Sequence, residues 1–142
     1  MCIRDRYNDY EKLVIDLGLT DKIIVSGHVD INKIVELYQN ADGLIFPSIY
    51  EGFGIPILEA MACGTPVITS NISAMDEIAS DAALKVNPYL ETEIADAMKK
   101  LVINEIMKKA LISKGLVRVK QFSWHKAAMQ TLRVYNEIFK KN

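Results

Sequence analysis

The sequence predicts an α/β protein in which about four parallel strands are flanked by helices. Short apolar runs that end at Gly, Pro or Ser recur along the chain, as is typical of buried strands. Between them lie segments whose apolar residues recur at every third or fourth position, the spacing of an amphipathic helix. Because strands and helices alternate, each strand is expected to return parallel to the last through a right-handed crossover.

Each element has its own signal. Gly18 ends the first helix, Gly64 ends the helix that Pro56 begins, and Gly115 is tolerated inside a longer one. The second helix has apolar residues at i, i+3, i+4 and i+7: Ile31, Ile34, Val35 and Tyr38. The predicted strands are 23–26, 43–46, 66–69 and 83–86. The predicted helices are 10–17, 31–40, 56–63, 75–79, 94–102, 105–121 and 124–139.

Composition excludes several functional classes. Half of the 142 residues are hydrophobic, a quarter are charged, and the formal net charge is −1, which argues against a nucleic-acid partner. Apolar stretches are too short and interrupted to span a bilayer. Cys2 and Cys63 have neither the spacing of a metal site nor that of a disulfide framework, so we expect no metal and a cytoplasmic location.

The most informative stretch is 47–71, PSIYEGFGIPILEAMACGTPVITSN, which predicts a strand–loop–helix–loop–strand passage. Gly52 and Gly54 allow unusual backbone angles and close approach of a ligand to the main chain. Pro56 suits the first turn of a helix. The free N–H groups of that turn, together with the helix dipole, form a site for an anion such as phosphate.

Two glutamates, Glu51 and Glu59, flank this anion site. They would repel a phosphate, but a carboxylate can accept hydrogen bonds from the hydroxyls of a sugar, as acidic residues do for the ribose of dinucleotides. A diphosphate between two sugars would use both acids, so the pattern favours a nucleotide-sugar. The alternative at this point is that Glu51 caps the loop and Glu59 lies on a solvated helix face.

This stretch resembles the signature of the family 4 retaining glycosyltransferases of GT-B fold. Pieces at 23–29 (IIVSGHV), 38–42, 80–88 and 120–128 resemble the family as well, so the likeness covers nearly the whole chain. The resemblance implies a Rossmann-like domain with strand order 3-2-1-4-5-6. It also implies that Glu51 is the catalytic residue facing the donor sugar, and that Glu59 binds the ribose. The donor-binding set is Glu51, Gly52, Phe53, Gly54, Ile55 and Glu59, with the amides around Phe53–Ile55 near the diphosphate.

His28 and Val29 complete the candidate donor site. They follow the carboxyl end of predicted strand 23–26, where ligands sit in open α/β sheets, and could neighbour the nucleotide base. The alternative for His28 is an exposed loop residue. These 142 residues show no counterpart of three features of the family: strands 1 and 2, an Arg/Lys pair, and the acceptor-binding N-terminal domain. We therefore expect a truncated donor-binding domain: 1–6 a non-native leader, 7–121 a partial Rossmann-like domain, and 122–142 a C-terminal helix.

The function that follows from the resemblance is transfer of a hexosyl group from a nucleoside-diphosphate sugar to a glycan or lipid-linked acceptor. No cofactor is expected beyond this co-substrate, and a likeness at 82–88 to bacterial mannosyltransferases of surface polysaccharide assembly suggests GDP-mannose. The longer parent could associate peripherally with a membrane, and this chain alone is expected to be inactive. Two alternatives stay open: a non-catalytic nucleotide-sugar-binding fragment, and a glycoside hydrolase that uses the Glu pair.

Overall fold

The structure, a computed structural model, describes residues 7–139 as two compact units that divide after Ile31. The first unit contains helix α1 (Tyr7–Asp16). It ends in a turn in which Gly18 has a φ of 65°, and the Leu19 N–H donates to the Val14 carbonyl at 2.9 Å. Gly18 therefore stops the helix as the sequence predicts. The proposed leader at 1–6 and the last three residues of the predicted C-terminal segment lie outside the described residues.

The second unit holds the remaining elements, except for Ile31, the first residue of α2. They are α2 (Ile31–Asn40), β1 (Leu44–Phe46), α3 (Ile55–Ala62), β2 (Val67–Ser70), α4 (Ser73–Ala79), β3 (Leu84–Val86), α5 (Glu91–Ile103), α6 (Glu105–Val119) and α7 (Trp124–Phe139). The predicted helices and these three strands agree with the structure to within three residues at each end. The predicted boundary between 121 and 122 stays a prediction.

The sheet of the described chain has three strands rather than about four. Residues 23–26 have no regular secondary structure, so the strand predicted there is wrong. An apolar run becomes a strand only when a neighbouring strand completes its backbone hydrogen bonds. Within residues 7–139 no such ladder forms at 23–26, and Ile24 remains 92% exposed. Among the described strands, β1 has β2 as its only neighbour.

The three strands are parallel, in the order β1-β2-β3. Leu44 pairs with Val67, and Ile68 pairs with Leu84, so the strands end at a common edge. This confirms the α/β class and the parallel arrangement. It also places the loop that follows β1 and the loop that follows β2 side by side at the carboxyl edge of the sheet.

Consecutive residues of β2 point to opposite faces of the sheet, and each face carries its own core. Val67 belongs to the α3–α4 core, and Ile68 belongs to the α5–α6 core. The α3–α4 core consists of Ile57, Ala60, Met61, Val67, Met75, Ile78, Ala79 and Ala82. The α5–α6 core consists of Ile68, Val86, Ala97, Leu101 and Leu111. Burial on both faces is clearest in β2, whose four residues are all buried.

Candidate functional site

The loop at 47–54 joins the carboxyl end of β1 to α3, and it carries Glu51. The Glu51 side chain is half-buried. The Ser48 hydroxyl donates to Glu51 Oε1 at 3.0 Å and also lies 3.3 Å from the Tyr50 carbonyl. Among the described residues no group bonds the second carboxylate oxygen of Glu51. That oxygen is available to a ligand hydroxyl.

The start of this loop is held to the neighbouring strand β2 by two hydrogen bonds. Ser70, the last residue of β2, is fully buried, and its hydroxyl donates to the Ser48 carbonyl. One residue earlier, the buried Thr69 hydroxyl donates to the Phe46 carbonyl at 2.9 Å. These two bonds fix the exit of β1 against β2. Glu51 is therefore held through Ser48 by a strand that comes some twenty residues later in the chain.

Gly54 is the N-cap residue that precedes α3 and has a φ of 98°, a conformation that L side chains rarely adopt. Gly52 shows no positive φ, so only one of the two predicted glycines is needed for its backbone angle. Helix α3 begins at Ile55, one residue before Pro56. Within the described chain, the N–H groups of Gly52 to Ile55 donate no hydrogen bond. They form the free, positive end of the helix.

Phe53 precedes the N-cap residue of this helix and is 44% exposed. Its ring meets Phe122 edge to face, with centroids 6.0 Å apart and planes at 88°. The Arg118 guanidinium lies over the Phe122 ring at 4.8 Å, and its Nε and Nη2 donate to the Ile78 and Glu77 carbonyls at 2.9 and 2.7 Å. Phe53 is thus held by an aromatic contact from the chain after α6.

Glu59 lies one turn into α3, on the same helix face as Ile55. It does not lie on a solvated face: its side chain is half-buried, and the Tyr38 hydroxyl of α2 donates to Glu59 Oε2 at 3.3 Å. The alternative interpretation of Glu59 as a freely solvated acid is therefore not what the structure shows. No described residue bonds Glu59 Oε1, so this acid too has one oxygen available to a ligand.

Tyr38 is itself held at two points. Its ring packs against the α3–α4 core, and its carbonyl accepts the hydroxyl of the buried Thr65 at 2.6 Å. Burial, reinforced by the neighbouring Glu59 carboxylate, raises the pKa of Tyr38 to about 12. The phenol therefore keeps its proton and acts as the donor in its contact with Glu59.

His28 and Val29 belong to the first unit and lie in the irregular segment that precedes α2. His28 is exposed and Val29 is half-buried. The strand expected to present them at a sheet edge is absent from the described residues. Their assignment to the nucleotide base stays a prediction.

The structure brings Glu51, the amides of 52–55 and Glu59 onto one loop and the first turns of one helix. It adds three residues to which the sequence assigned no role: Tyr38, Ser48 and Ser70. All three lie in pieces that resemble the family. Tyr38 and Ser70 contact residues that are 21 and 22 positions away in the chain, whereas Ser48 contacts Glu51 only 3 positions away. A carboxylate oxygen without a partner can accept a hydrogen bond from a ligand hydroxyl, and free amides at a helix start can bind an anion.

A sequence model of the family "Glycosyl transferases group 1" matches residues 4–118, most of the chain. The chain belongs to this family. It is 37% identical over 109 residues to the O-antigen chain mannosyltransferase B of Escherichia coli, a match that covers 77% of this chain and 29% of that protein. It is 44% identical over 91 residues to the O-antigen chain mannosyltransferase RfbU of Salmonella typhimurium, covering 64% and 26%, respectively.

Solved structures of glycosyltransferases share the fold of this family member. Sucrose-phosphate synthase from Thermosynechococcus elongatus superposes with a TM-score of 0.84 at 30% identity, covering 95% of this chain and 35% of that one. The C-terminal domain of a group 1 glycosyl transferase, LpcC, from Francisella tularensis gives a TM-score of 0.72 at 32% identity, covering 82% and 62%. The chain thus has a GT-B, Rossmann-like fold. It spans less than a third of the length of each of these two mannosyltransferases. None of its described helices is long and apolar enough to cross a bilayer.

Proposed function

We propose that this chain is the donor-binding part of a family 4 retaining glycosyltransferase. Such an enzyme transfers a hexosyl group from a nucleoside-diphosphate sugar to a hydroxyl of a glycan or lipid-linked acceptor. The observation that carries the proposal is the joint presence of two carboxylates, each with one free oxygen, and a run of free amides at the start of α3. Family membership favours transfer over hydrolysis as the use of the Glu pair.

The proposed roles follow from charge and position. The amides of 52–55, at the positive end of α3, bind the diphosphate and stabilise it as it leaves. The free oxygen of Glu51 accepts hydrogen bonds from the donor sugar. Glu59, one turn into α3, accepts hydrogen bonds from the ribose hydroxyls. His28 and Val29 stay proposed neighbours of the base.

The nature of the donor is a finer part of the proposal. Two of the relatives carry the name mannosyltransferase, which supports mannose as the donor sugar, and GDP-mannose is the probe that we propose to test first. Three further points stay predictions: a glycan or lipid-linked acceptor, a peripheral membrane contact of the proposed parent enzyme, and a cytoplasmic location. We also propose that these 142 residues alone show no measurable transfer, since no counterpart of the family's Arg/Lys pair is found in their sequence.

The proposal is tested by titrating the isotope-labelled chain with GDP and with GDP-mannose, followed by NMR. Glu59→Gln should weaken both ligands, because both carry the ribose. Glu51→Gln should weaken GDP-mannose and leave GDP unchanged, because only the former carries the sugar. A charge-assisted bond is worth about 1.5–3 kcal/mol, so each loss should be about tenfold or more.

The matched control is Glu91→Gln, an exposed acid at the start of α5 that has no proposed role. It should leave both affinities unchanged. If Glu51→Gln and Glu59→Gln also leave both affinities unchanged while wild-type protein binds, the carboxylates do not form the donor site and the proposal fails.

A further inference from the structure

The contact between Tyr38 and Glu59 links two helices at the candidate site. The Tyr38 ring packs against the α3–α4 core, and this packing needs no hydroxyl. In the described chain the hydroxyl has one acceptor, Glu59 Oε2, at 3.3 Å. The hydroxyl of Tyr38 therefore makes a hydrogen bond to Glu59 that a phenylalanine at the same position could not make.

The position of this hydroxyl is fixed before any ligand binds. Thr65 is 3% exposed, and its hydroxyl binds the Tyr38 carbonyl at 2.6 Å, tying the end of α2 to the turn between α3 and β2. The ring is held by the core and the carbonyl by Thr65, so the phenol has little freedom left. The raised pKa of Tyr38 keeps its proton in place for donation.

A glutamate side chain has three rotatable bonds and loses conformational entropy when a ligand orders it. A donor that already binds one oxygen of Glu59 restricts the carboxylate in advance and leaves Oε1 to face the ligand. Resting on the proposed function, we infer that Tyr38 is a positioning residue: its hydroxyl orients the Glu59 carboxylate for the ribose diol of the donor nucleotide.

The test separates the ribose contact from general structural damage. GDP and 2′,3′-dideoxy-GDP are titrated against the wild-type chain, Tyr38→Phe, Glu59→Gln and the double variant, with NMR detection. Wild-type protein should prefer GDP by about tenfold or more, the worth of a charge-assisted hydrogen bond to the diol. Tyr38→Phe should lower the affinity for GDP by about three- to tenfold and leave that for dideoxy-GDP unchanged.

Two comparisons exclude a merely structural role. Tyr38→Phe should add nothing in the Glu59→Gln background, because Tyr38 acts only through that carboxylate. Tyr89→Phe, which alters an exposed tyrosine 66% accessible to solvent, should change neither affinity. The amide spectra of all variants show whether the fold is kept.

The outcomes are distinguishable. Equal weakening of GDP and dideoxy-GDP by Tyr38→Phe, or no weakening of either, overturns the positioning role and leaves the proposed function standing. Equal affinity of the wild-type chain for both nucleotides overturns the assignment of Glu59 to the ribose, and this inference with it. ADP and UDP are titrated against the wild-type chain alongside GDP, and absence of saturable binding of all three overturns the proposed function itself.

Discussion

Gly115 of α6 lies directly against Met61 of α3. A Cβ atom added at Gly115 would be 3.0 Å from Met61 Cγ and 3.3 Å from Met61 Cβ. Met61 is 1% exposed and belongs to the α3–α4 core, so its side chain has little space into which it could shift. The glycine inside a 15-residue helix is therefore explained by the close approach of the helix that carries the candidate site.

Gly115→Ala should destabilise the protein although alanine favours the helix. The gain in helix propensity is about 1 kcal/mol, whereas overpacking a tight core costs about 1–3 kcal/mol. We expect a net loss of about 1 kcal/mol in the free energy of unfolding, measured by chemical denaturation. Ser113→Ala, at an exposed position of the same helix, should give a small gain. If Gly115→Ala costs as much in a Met61→Ala background, the contact with Met61 is not the cause.

The two glycines of the 47–54 loop should respond differently to the same change. Gly54→Ala places a side chain at a φ of 98° and brings Cβ to 3.3 Å from Ile57 Cδ1, so we expect a loss of about 1–3 kcal/mol. Gly52 has no positive φ, and a Cβ atom added there would have open space for 4 Å around it, so Gly52→Ala should be neutral or slightly stabilising. Thermal unfolding of both variants checks the difference, and equal losses would contradict it.

Arg118 should matter for stability more than a surface charge does. It donates to the Ile78 and Glu77 carbonyls at the end of α4 and covers the Phe122 ring. A lysine cannot reproduce this planar fork, so Arg118→Lys should cost about 1–3 kcal/mol. Arg133→Lys, the same change at an exposed ion pair with Glu137, should have no measurable effect on stability. Similar effects of the two variants in urea denaturation would refute the role of Arg118.

Tyr38 should ionise late in an alkaline titration. Its pKa is raised to about 12 by burial and by the Glu59 carboxylate. In the unfolded chain this phenol would lose its proton near the ordinary tyrosine pKa of 10.0, while the folded chain keeps it. Unfolding therefore becomes more favourable as pH rises through this window, and stability falls there.

The measurement is ultraviolet difference absorbance of ionised tyrosine, with Tyr38→Phe to assign the late step. Glu59→Gln should move the pKa of Tyr38 down, because it removes the carboxylate and leaves only burial as the main cause. An unchanged late step in Glu59→Gln would show that the carboxylate has no part in it.

Helix positions followed from the sequence because they depend on local order. The bounds predicted for 31–40 and 124–139 are those observed, since apolar periodicity and end signals lie within the segment itself. The candidate loop was found in the same way, from Gly54, Pro56 and the two acids around them. All these signals act over short stretches of chain.

What only the tertiary structure decided depends on partners that lie far away in the chain. Whether 23–26 becomes a strand is set by a neighbouring strand, because backbone groups in a sheet bond between segments. The hydroxyl of Tyr38 meets Glu59 across 21 residues, and that of Ser70 meets the Ser48 carbonyl across 22. Such contacts arise when helices and strands pack, and no local pattern records them. The sequence therefore determined which acids flank the start of α3, and packing decided which oxygen of Glu59 remains free.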